Sequence, residues 1–159
     1  MKKILYVVNN ALLFAGVSIY FGTGWSTAIF QFPVMPHLTP DNYYLHFIPQ
    51  IDAATVFFTV MVTVMLITCG VMLIVEWKTK YRWVAIAIAI LVIGATCLTV
   101  FIIFPVNQIL RDGVTDQAQL VEIVAQWVFL TKIRVVLWSV EWLVMMYYFG
   151  DNLYQSTKS

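Results

Sequence analysis

Four long runs of apolar residues dominate the pattern of hydrophobic and polar positions along this chain. The runs cover residues 4–30, 53–75, 83–104 and 127–149, and shorter polar segments separate them. Each run exceeds the roughly 20 residues that a helix needs to cross the hydrocarbon core of a bilayer. Strands of a membrane barrel would be about 10 residues long and would alternate in polarity. The pattern therefore predicts four transmembrane helices.

The composition agrees with a chain that is surrounded by membrane lipid. Of its 159 residues, 62% are hydrophobic and 11% are charged, and the mean hydropathy is +0.86. Those values exclude an ordinary soluble domain. The net charge is +1 and no basic stripe follows a predicted helix, so a nucleic-acid partner is not expected. We expect an all-α integral membrane four-helix bundle that forms a single domain over residues 1–159.

The connecting segments distribute their charges unevenly between the two sides of the predicted bundle. Basic residues are concentrated near the N-terminus, in the second loop and in the C-terminal tail, at Lys2, Lys3, Lys78, Lys80, Arg82 and Lys158. The first and third loops carry Arg111 among several acidic residues. Because cytoplasmic loops are enriched in lysine and arginine, both termini are predicted to be cytoplasmic (N-in/C-in). We expect a multi-pass protein of a bacterial inner membrane.

Local signals mark the ends of several helices. Thr39, Pro40 and Asp41 have the order of an N-cap, a first helical residue and a first-turn acid, which predicts a short interfacial helix over residues 42–47 of the first external loop. Pro105 is expected to kink the third helix, because proline removes a backbone donor. Gly113 is expected to end that segment, and the fourth helix is expected to begin near Asp116.

Small residues form a row along the first predicted helix. They are spaced three or four residues apart, at Ala11, Ala15, Ser18, Gly22 and Ser26. Small residues at this spacing let two helices approach closely. The row is therefore expected to pack inside the bundle.

Ionisable residues in the last apolar run are the strongest functional signal. Trp127, Arg134 and Glu141 are seven residues apart, so they form one line along one helix face. A charge at membrane depth costs from about 2.5 kcal/mol upwards and normally faces a partner or a wet cavity. Glu141 is expected to contact Asn10, either as a proton donor or as a protonated acid that joins two helices. This line is the candidate site.

Further polar residues from three segments are expected at about the same depth as Arg134. They are His37, His46, Gln50, Asp52, Asn107, Gln126, Trp127 and Lys132. One interpretation is a small-molecule pocket, because such pockets combine aromatic walls with a few convergent polar groups. The alternative is a structural layer of ion pairs, in which Arg134 and Lys132 bind Asp52 and hold helices together.

Metal and cofactor sites have little support in the sequence. His37 and His46 offer two imidazoles for a haem or a metal, but neither has a ligand three or four residues away. Cys69 and Cys97 lie within apolar runs, where lone thiols are usually core residues. The chain has none of the common nucleotide, zinc or serine-nucleophile motifs. No metal and no cofactor are predicted.

Three short motifs occur in order along the chain. Residues 24–38 end in Phe-x-x-Pro-Val-Met-Pro-x-Leu, residues 104–110 contain Pro105 and Asn107, and Trp127 is followed by Ile133 and Arg134. Together they resemble the anthrone-oxygenase-like family of small four-helix membrane proteins. Just before the arginine, where relatives often have Asn-His, this chain has Thr131 and Lys132.

The resemblance implies oxidation of a polycyclic anthrone to a quinone without an obvious cofactor. In that hypothesis Arg134 stabilises a developing phenolate or enolate, and Lys132 or Asp52 transfers protons. Asn107 and Trp127 orient and stack the ring, and His46 and Glu141 complete the substrate-binding residues. The partners are membrane lipid and a lipophilic, aromatic small molecule.

A second hypothesis belongs to another functional class. The chain is short, lacks redox ligands and is apolar on all sides, as are accessory subunits or assembly factors of larger membrane redox complexes. Its partners would then be other membrane subunits, and a homo-oligomer is compatible with either hypothesis. The composition does not separate the two, because a lipid-facing surface has the same residues as a subunit interface.

Overall fold

A computed structural model of the chain describes residues 2–158, and long helices account for most of them. The α-helices are α1 (Lys2–Ser26), α2 (Tyr43–Glu76), α3 (Arg82–Leu98), α4 (Phe104–Asp112) and α5 (Gln117–Lys158). A π-helical turn, Thr27–Gln31, extends α1, and a second one, Thr99–Ile103, joins α3 to α4. A 3₁₀ turn, Met35–His37, precedes α2. The described residues contain no strand, which confirms the all-α prediction.

The helices form a bundle in which neighbours are arranged in a ring. α1 packs against α2 and α5, and α3 packs against the same two helices. α4 continues α3 and contacts both α2 and α5. We call the end that carries Pro33, Pro36 and Pro40 the proline end, and the end that carries Lys78 and Lys80 the basic end. The four long helical segments thus enclose a common interior.

That interior contains two separate apolar cores. The core at the proline end includes Tyr43, Phe47, Leu110 and Trp127. The core at the basic end and middle contains Leu13, Met65, Met72, Ile88 and Met145, together with other buried residues. Burial of one such side chain stabilises a fold by about 1.5–3 kcal/mol in water, whereas helices in lipid depend on close packing instead. The candidate site lies between the two cores.

Three helical segments are long and apolar enough to cross a membrane. They are Ile4–Gln31, Tyr43–Glu76 and Arg82–Asp112. α5 is longer than any of them, yet its central part carries Lys132, Arg134 and Glu141. This finding supports the prediction of a multi-pass membrane protein for three of the four predicted spans. The predicted orientation of the termini stays a prediction.

The first external segment differs from its prediction. Residues 43–47 are helical, but they are the first turns of α2, which continues without interruption through Pro49 to Glu76. Pro49 lacks an N–H donor and its ring crowds the carbonyl one turn earlier, but a long helix with packed neighbours tolerates both effects. Asn42 precedes the helix, and its Oδ1 accepts the backbone N–H of Thr39 at 2.8 Å. The predicted separate interfacial helix is therefore absent from the described residues.

The predicted stop at Gly113 and the predicted helix start near Asp116 are confirmed, whereas the kink at Pro105 stays a prediction. The π-helical turn Thr99–Ile103 places an extra residue in the helix just before Pro105, which occupies the first turn of α4. Gly113 ends α4 with a φ of 99°, a conformation that favours glycine. Asp116 Oδ2 accepts the N–H of Gln119 at 2.8 Å at the start of α5.

Tyr43 fixes the turn between α4 and α5. Its buried hydroxyl donates to the carbonyl of Leu110 at 3.1 Å and accepts the backbone N–H of Val114 at 2.6 Å. Both backbone groups lie beside Gly113, where helical hydrogen bonding ends. One side chain of α2 thereby provides hydrogen bonds for two backbone groups of the turn that leads into α5.

The expected inward position of the small-residue row on α1 is wrong. Ala11, Ala15, Gly22 and Ser26 are exposed, and Ser18 is half-buried. The interior side of α1 carries Leu13, Val17 and Tyr20 instead, together with Gly16 and Gly24. α1 is apolar on several sides, and its azimuth follows from the neighbours it meets rather than from the spacing of its small residues.

Candidate functional site

A cavity of about 250 Å³ lies between the two cores. Residues from all the long helical segments line it, and most of them are apolar or are threonines. Thr59 of α2 and Val100 of the second π-helical turn belong to the lining and are also exposed. The cavity therefore opens sideways, between α2 and the helical segment that joins α3 to α4.

The predicted site residues Asn107, Trp127 and Arg134 all line this cavity. Trp127 is 5% exposed and packs edge to face on Phe47, with ring centres 4.8 Å apart. Asn107 is also 5% exposed and comes from α4, one turn after the π-helical turn. The structure thus brings these three residues together, and their role in binding stays a prediction.

Arg134 is held among aromatic rings rather than beside a carboxylate. Its guanidinium carbon lies 4.7 Å from the centre of the Trp138 ring. Trp138 in turn stacks on Tyr20 of α1, with ring centres 4.4 Å apart and an interplanar angle of 10°. A cation over a desolvated indole face gains roughly 2 kcal/mol. Among the described residues, no carboxylate oxygen lies within ion-pair distance of Arg134.

Gly24 makes this aromatic stack possible. A Cβ at Gly24 would lie 2.8 Å from Cε3 of Trp138 and 3.3 Å from Cγ2 of Val135. Because neither a packed indole nor a β-branched side chain moves easily, the absence of a side chain at this position lets α1 approach α5. The glycine thus determines how closely Trp138 approaches Tyr20.

Three of the residues that line the cavity each have a buried polar atom without a hydrogen-bond partner in the described structure. The atoms are Nε of Arg134, Nε1 of Trp138 and Oδ1 of Asn107. An unsatisfied buried polar group costs about 1–3 kcal/mol, so such groups normally face a ligand or an ordered water. Arg134, Trp138 and Asn107 thus bring two donors and one acceptor to the walls of the cavity whose hydrogen bonding is incomplete in the described structure.

The threonines of α2 contribute little polarity. Thr55, Thr59 and Thr63 each donate to the carbonyl four residues earlier, at 2.7, 2.7 and 2.8 Å. A threonine hydroxyl that is bonded to its own helix has no proton left for a ligand. Of the residues that the structure describes around the cavity, Arg134 alone carries a charge.

Each π-helical turn lies beside a cavity wall. Thr99, Val100 and Ile103 of the second turn line the large cavity. Residues of the first turn, Thr27 and Gln31, line a smaller adjoining cavity on the other side of Arg134. A π-helical turn widens a helix by one residue and shifts the side chains that follow it, and such turns are frequent at functional sites.

Asp52 and Lys132 do not join Arg134 at the cavity. Asp52 pairs with Arg111, whose Nε donates to Oδ1 at 2.8 Å on the exposed surface of α2 and α4. Lys132 lies on another side of α5, where its Nζ is 5.9 Å from the ring centre of Phe32. The alternative interpretation, in which Asp52 binds Arg134 and Lys132, is therefore wrong. Proton transfer by Asp52 or Lys132 stays a prediction, made from positions outside the cavity.

Glu141 faces the interior as predicted, but it has a different environment from the one expected. It is fully buried at 0% exposure, and neither carboxyl oxygen has a hydrogen-bond partner among the described residues. The predicted bond to Asn10 is wrong, because Asn10 Nδ2 donates to the hydroxyl of Tyr148 at 2.9 Å. Glu141 does not belong to the lining of the large cavity. Its role in binding a substrate stays a prediction.

The histidines are separate and exposed. His37 lies in the 3₁₀ turn and His46 on the first turns of α2, and neither lines a cavity that contains Arg134. Within residues 2–158, no group of three or more histidine, cysteine or acidic side chains is arranged to hold a metal ion. The described residues thus provide no metal site, and the place of His46 in substrate binding stays a prediction.

A second buried polar cluster at the basic end was not predicted from the sequence. Oε1 of Glu76 accepts the hydroxyls of Tyr6 at 2.6 Å and Tyr148 at 2.8 Å, and Oε2 accepts the hydroxyl of Thr79. The cluster joins α1, α2 and α5. Glu76 ends an apolar run and looks like an ordinary interfacial acid, and it lies 70 residues from Tyr6 and 72 from Tyr148, so no local signal in the sequence indicated the cluster.

The fold and the cavity define a class: a helical membrane-type bundle with a half-buried arginine beside a largely apolar, laterally open cavity. No family model, no curated protein and no solved structure matches this chain. The class therefore rests on the helices and the cavity alone.

Proposed function

We propose that this protein binds a small aromatic, lipophilic molecule in the large cavity, with an oxygen of that molecule directed at Arg134. The observation that carries the proposal is the unpartnered Nε of Arg134 at the wall of an otherwise apolar cavity. A cation without an anion is costly at membrane depth. An anionic or carbonyl oxygen of a ligand would supply the missing partner.

The size of the cavity supports a ligand with two or three fused rings. An engineered cavity of about 150 Å³ holds one benzene, and sites for drug-sized ligands measure about 300–1,000 Å³. The cavity of about 250 Å³ lies between these limits. The planar rings of Trp127 and Trp138 provide walls against which an aromatic ligand stacks.

The polar atoms support a particular pattern on that ligand. Arg134 and Trp138 offer donors, so they favour acceptor oxygens such as a phenolate, an enolate or a carboxylate. Oδ1 of Asn107 favours a hydroxyl on the same molecule. A hydroxylated aromatic carbonyl compound meets both requirements.

An oxygenase activity is the catalytic form of this proposal, and the resemblance to the anthrone-oxygenase-like family favours it. Conversion of anthrone to anthraquinone consumes one dioxygen and releases one water, with no other reductant. Arg134 would stabilise the enolate that reacts with dioxygen, a charge-stabilising contribution of about 3–4 kcal/mol. The described cavity lining contains no carboxylate or imidazole, so the geometry supports enolate stabilisation more directly than proton removal.

We further propose that α5 is a fourth span and that both termini are cytoplasmic. Arg134 and Glu141 face the interior of the bundle, while Val136, Leu143 and Tyr147 on the outer side of α5 are 61%, 60% and 62% exposed. α5 also packs along α1 and α3, both of which belong to segments apolar enough to cross a membrane. A ligand dissolved in lipid would then enter through the lateral opening between α2 and the segment after α3.

A matched ligand pair tests the binding proposal. 2-Naphthoate and 2-naphthamide have nearly the same shape, but only the naphthoate is anionic. Titration calorimetry in detergent micelles should show that Arg134→Met weakens 2-naphthoate binding by roughly 10- to 100-fold, the effect of one charged hydrogen bond, and weakens 2-naphthamide binding by less than about tenfold, the effect of a neutral one. Each ligand also partitions into the micelles, but it does so equally for every protein variant. The effect therefore cancels when the dissociation constants of one ligand for two variants are compared.

Lys132→Met is the matched control. It removes a cation from the same helix two residues away, on a side that does not line the cavity with Arg134. The wild type and Lys132→Met should bind 2-naphthoate equally. Equal loss in both variants, or no binding to the wild type, would reject the proposal.

A non-catalytic subunit of a membrane complex remains the alternative proposal. Exposed apolar residues on α1 and α2, such as Ile4, Val56 and Ile74, suit either lipid or a partner helix. Purification from native membranes distinguishes the two. Stable isolation of the protein alone with a retained aromatic compound supports the ligand-binding function, whereas constant co-purification with a redox complex supports the subunit.

A further inference from the structure

A second, smaller cavity adjoins the large one on the opposite side of Arg134. It measures about 100 Å³ and lies between α1, the first π-helical turn and the start of α2. Six residues line both cavities and form the boundary between them: Ile51, Ala54, Phe58, Trp127, Arg134 and Trp138. A ligand in the large cavity thus lies next to the small one, with Arg134 at the boundary.

The two cavities differ in chemistry. The four threonines that line the large cavity all donate to carbonyls of their own helices: Thr55, Thr59, Thr96 and Thr99. The lining of the small cavity includes two glutamines, Gln31 and Gln50, together with Thr23 and Thr27. Thr23 is bonded to its own helix as well, so the glutamine amides make the difference between the two cavities. A polar group is thus satisfied more readily in the small cavity than in the large one.

A hydrogen bond between two glutamines lies across the outer side of the small cavity. Gln31 Nε2 donates to Gln50 Oε1 at 2.9 Å, and Gln50 is exposed. One amide N–H₂ of Gln50 and the carbonyl oxygen of Gln31 remain available for a ligand. Gln31 is the last residue of the first π-helical turn, and this turn brings both Thr27 and Gln31 to the cavity.

We infer that the small cavity is a subsite for a polar arm of the ligand, a chain of two or three atoms that ends in a hydroxyl or carboxyl group. The inference rests on the proposed binding function and specifies the ligand class: an aromatic ring system in the large cavity, an oxygen at Arg134, and a short hydroxylated arm beyond it. The arm exchanges hydrogen bonds with Gln31, Gln50 and the threonines.

A second matched ligand pair tests the subsite. 2-(2-Naphthyloxy)ethanol and 2-propoxynaphthalene differ only in a terminal hydroxyl that replaces a methyl group. The measured quantity is the ratio of their dissociation constants, compared between protein variants so that micelle partitioning cancels. Loss of the polar subsite should lower the preference for the alcohol by about three- to tenfold, the value of a net hydrogen bond.

Two substitutions place the same added bulk in different cavities. Thr27 lines only the small cavity and Thr96 only the large one. Thr27→Leu should remove the preference for the alcohol and keep the affinity for 2-naphthoate within about twofold. Thr96→Leu should weaken the binding of all the naphthalene ligands and leave the preference for the alcohol unchanged.

The outcomes separate the subsite from the site itself. Normal 2-naphthoate binding with an unchanged preference in Thr27→Leu overturns the subsite and leaves the proposed function intact. Failure of 2-naphthoate to depend on Arg134 overturns both. If Thr27→Leu does not fold, Gln50→Leu at an exposed position replaces it, and an unchanged preference in that variant overturns the subsite equally.

Discussion

The guanidinium carbon of Arg134 lies 4.7 Å from the ring centre of Trp138, one turn further along α5. The same indole stacks on Tyr20 of α1. Arg134 is thus held by an aromatic pair that joins two helices, and its charge has no carboxylate partner among the described residues.

Removal of the Arg134 charge should leave the fold stable. Arg134→Met leaves no acid without its partner, because no described carboxylate pairs with Arg134. We expect a Tm in detergent equal to or above that of the wild type. Loss of one partner of a buried ion pair would cost about 3–5 kcal/mol and lower the Tm by more than about 6 °C. A decrease of that size would refute the conclusion that Arg134 has no ion-pair partner.

Two glycines on α1 should respond in opposite directions to alanine. Gly24→Ala forces a Cβ to within 2.8 Å of Trp138, and overpacking of this kind costs about 1–3 kcal/mol. Gly22 has open space around its Cβ position, so Gly22→Ala should gain up to about 1 kcal/mol from helix propensity. Thermal unfolding measures both effects, and Gly24→Ala should also weaken 2-naphthoate binding because Trp138 must move. Equal stability of the two variants would contradict the close approach of α1 to α5.

The cluster around Glu76 should stabilise the basic end. Glu76→Ala leaves the hydroxyls of Tyr6 and Tyr148 without their acceptor, and we expect a loss of about 1–3 kcal/mol in the free energy of unfolding. Glu122→Ala on the exposed side of α5 is the control and should be neutral within about 0.5 kcal/mol. Similar unfolding midpoints for the two variants would show that the cluster has no structural role.

Asp52 should be dispensable for ligand binding. Its partner is Arg111, and the pair is partly exposed, with side-chain exposures of 31% for Arg111 and 55% for Asp52. Surface ion pairs contribute about 0–1 kcal/mol, so Asp52→Asn should scarcely change stability and should bind 2-naphthoate as the wild type does. Loss of 2-naphthoate binding in Asp52→Asn would show that Asp52 takes part in ligand binding.

The orientation of the bundle is testable by cysteine labelling in a Cys97→Ser background. Asp41, Thr115 and Lys78 are exposed, and the first two lie at the opposite end from the third. A membrane-impermeant maleimide should label Asp41→Cys and Thr115→Cys in intact cells, and Lys78→Cys only after permeabilisation. The reverse pattern would place both termini outside.

Part of the candidate site followed from the sequence. The seven-residue spacing put Trp127, Arg134 and Glu141 on one side of α5, and all three face the interior. The sequence did not predict that Arg134 contacts Trp138 or that Trp138 stacks on Tyr20. These contacts depend on the position of α1 relative to α5, which is a property of the folded molecule. Asp52 was assigned to the wrong partner because only its depth in the bundle could be predicted. That depth is similar to the depth of Arg134, but the two side chains lie on different sides of their helices and do not meet.

The sequence by itself determined the long helical segments, the stop at Gly113 and the helix start near Asp116, because apolar runs and caps are local properties of the chain. It did not determine the start of α2 at Tyr43. Only the tertiary structure decided which sides of those helices meet. In a lipid-facing bundle both the buried and the outer sides are apolar, so hydrophobic periodicity loses the information that orients a helix in a soluble protein. That is why the small residues of α1 face outward, and why Gly24, whose importance comes from one neighbour on α5, could be recognised only in the folded molecule.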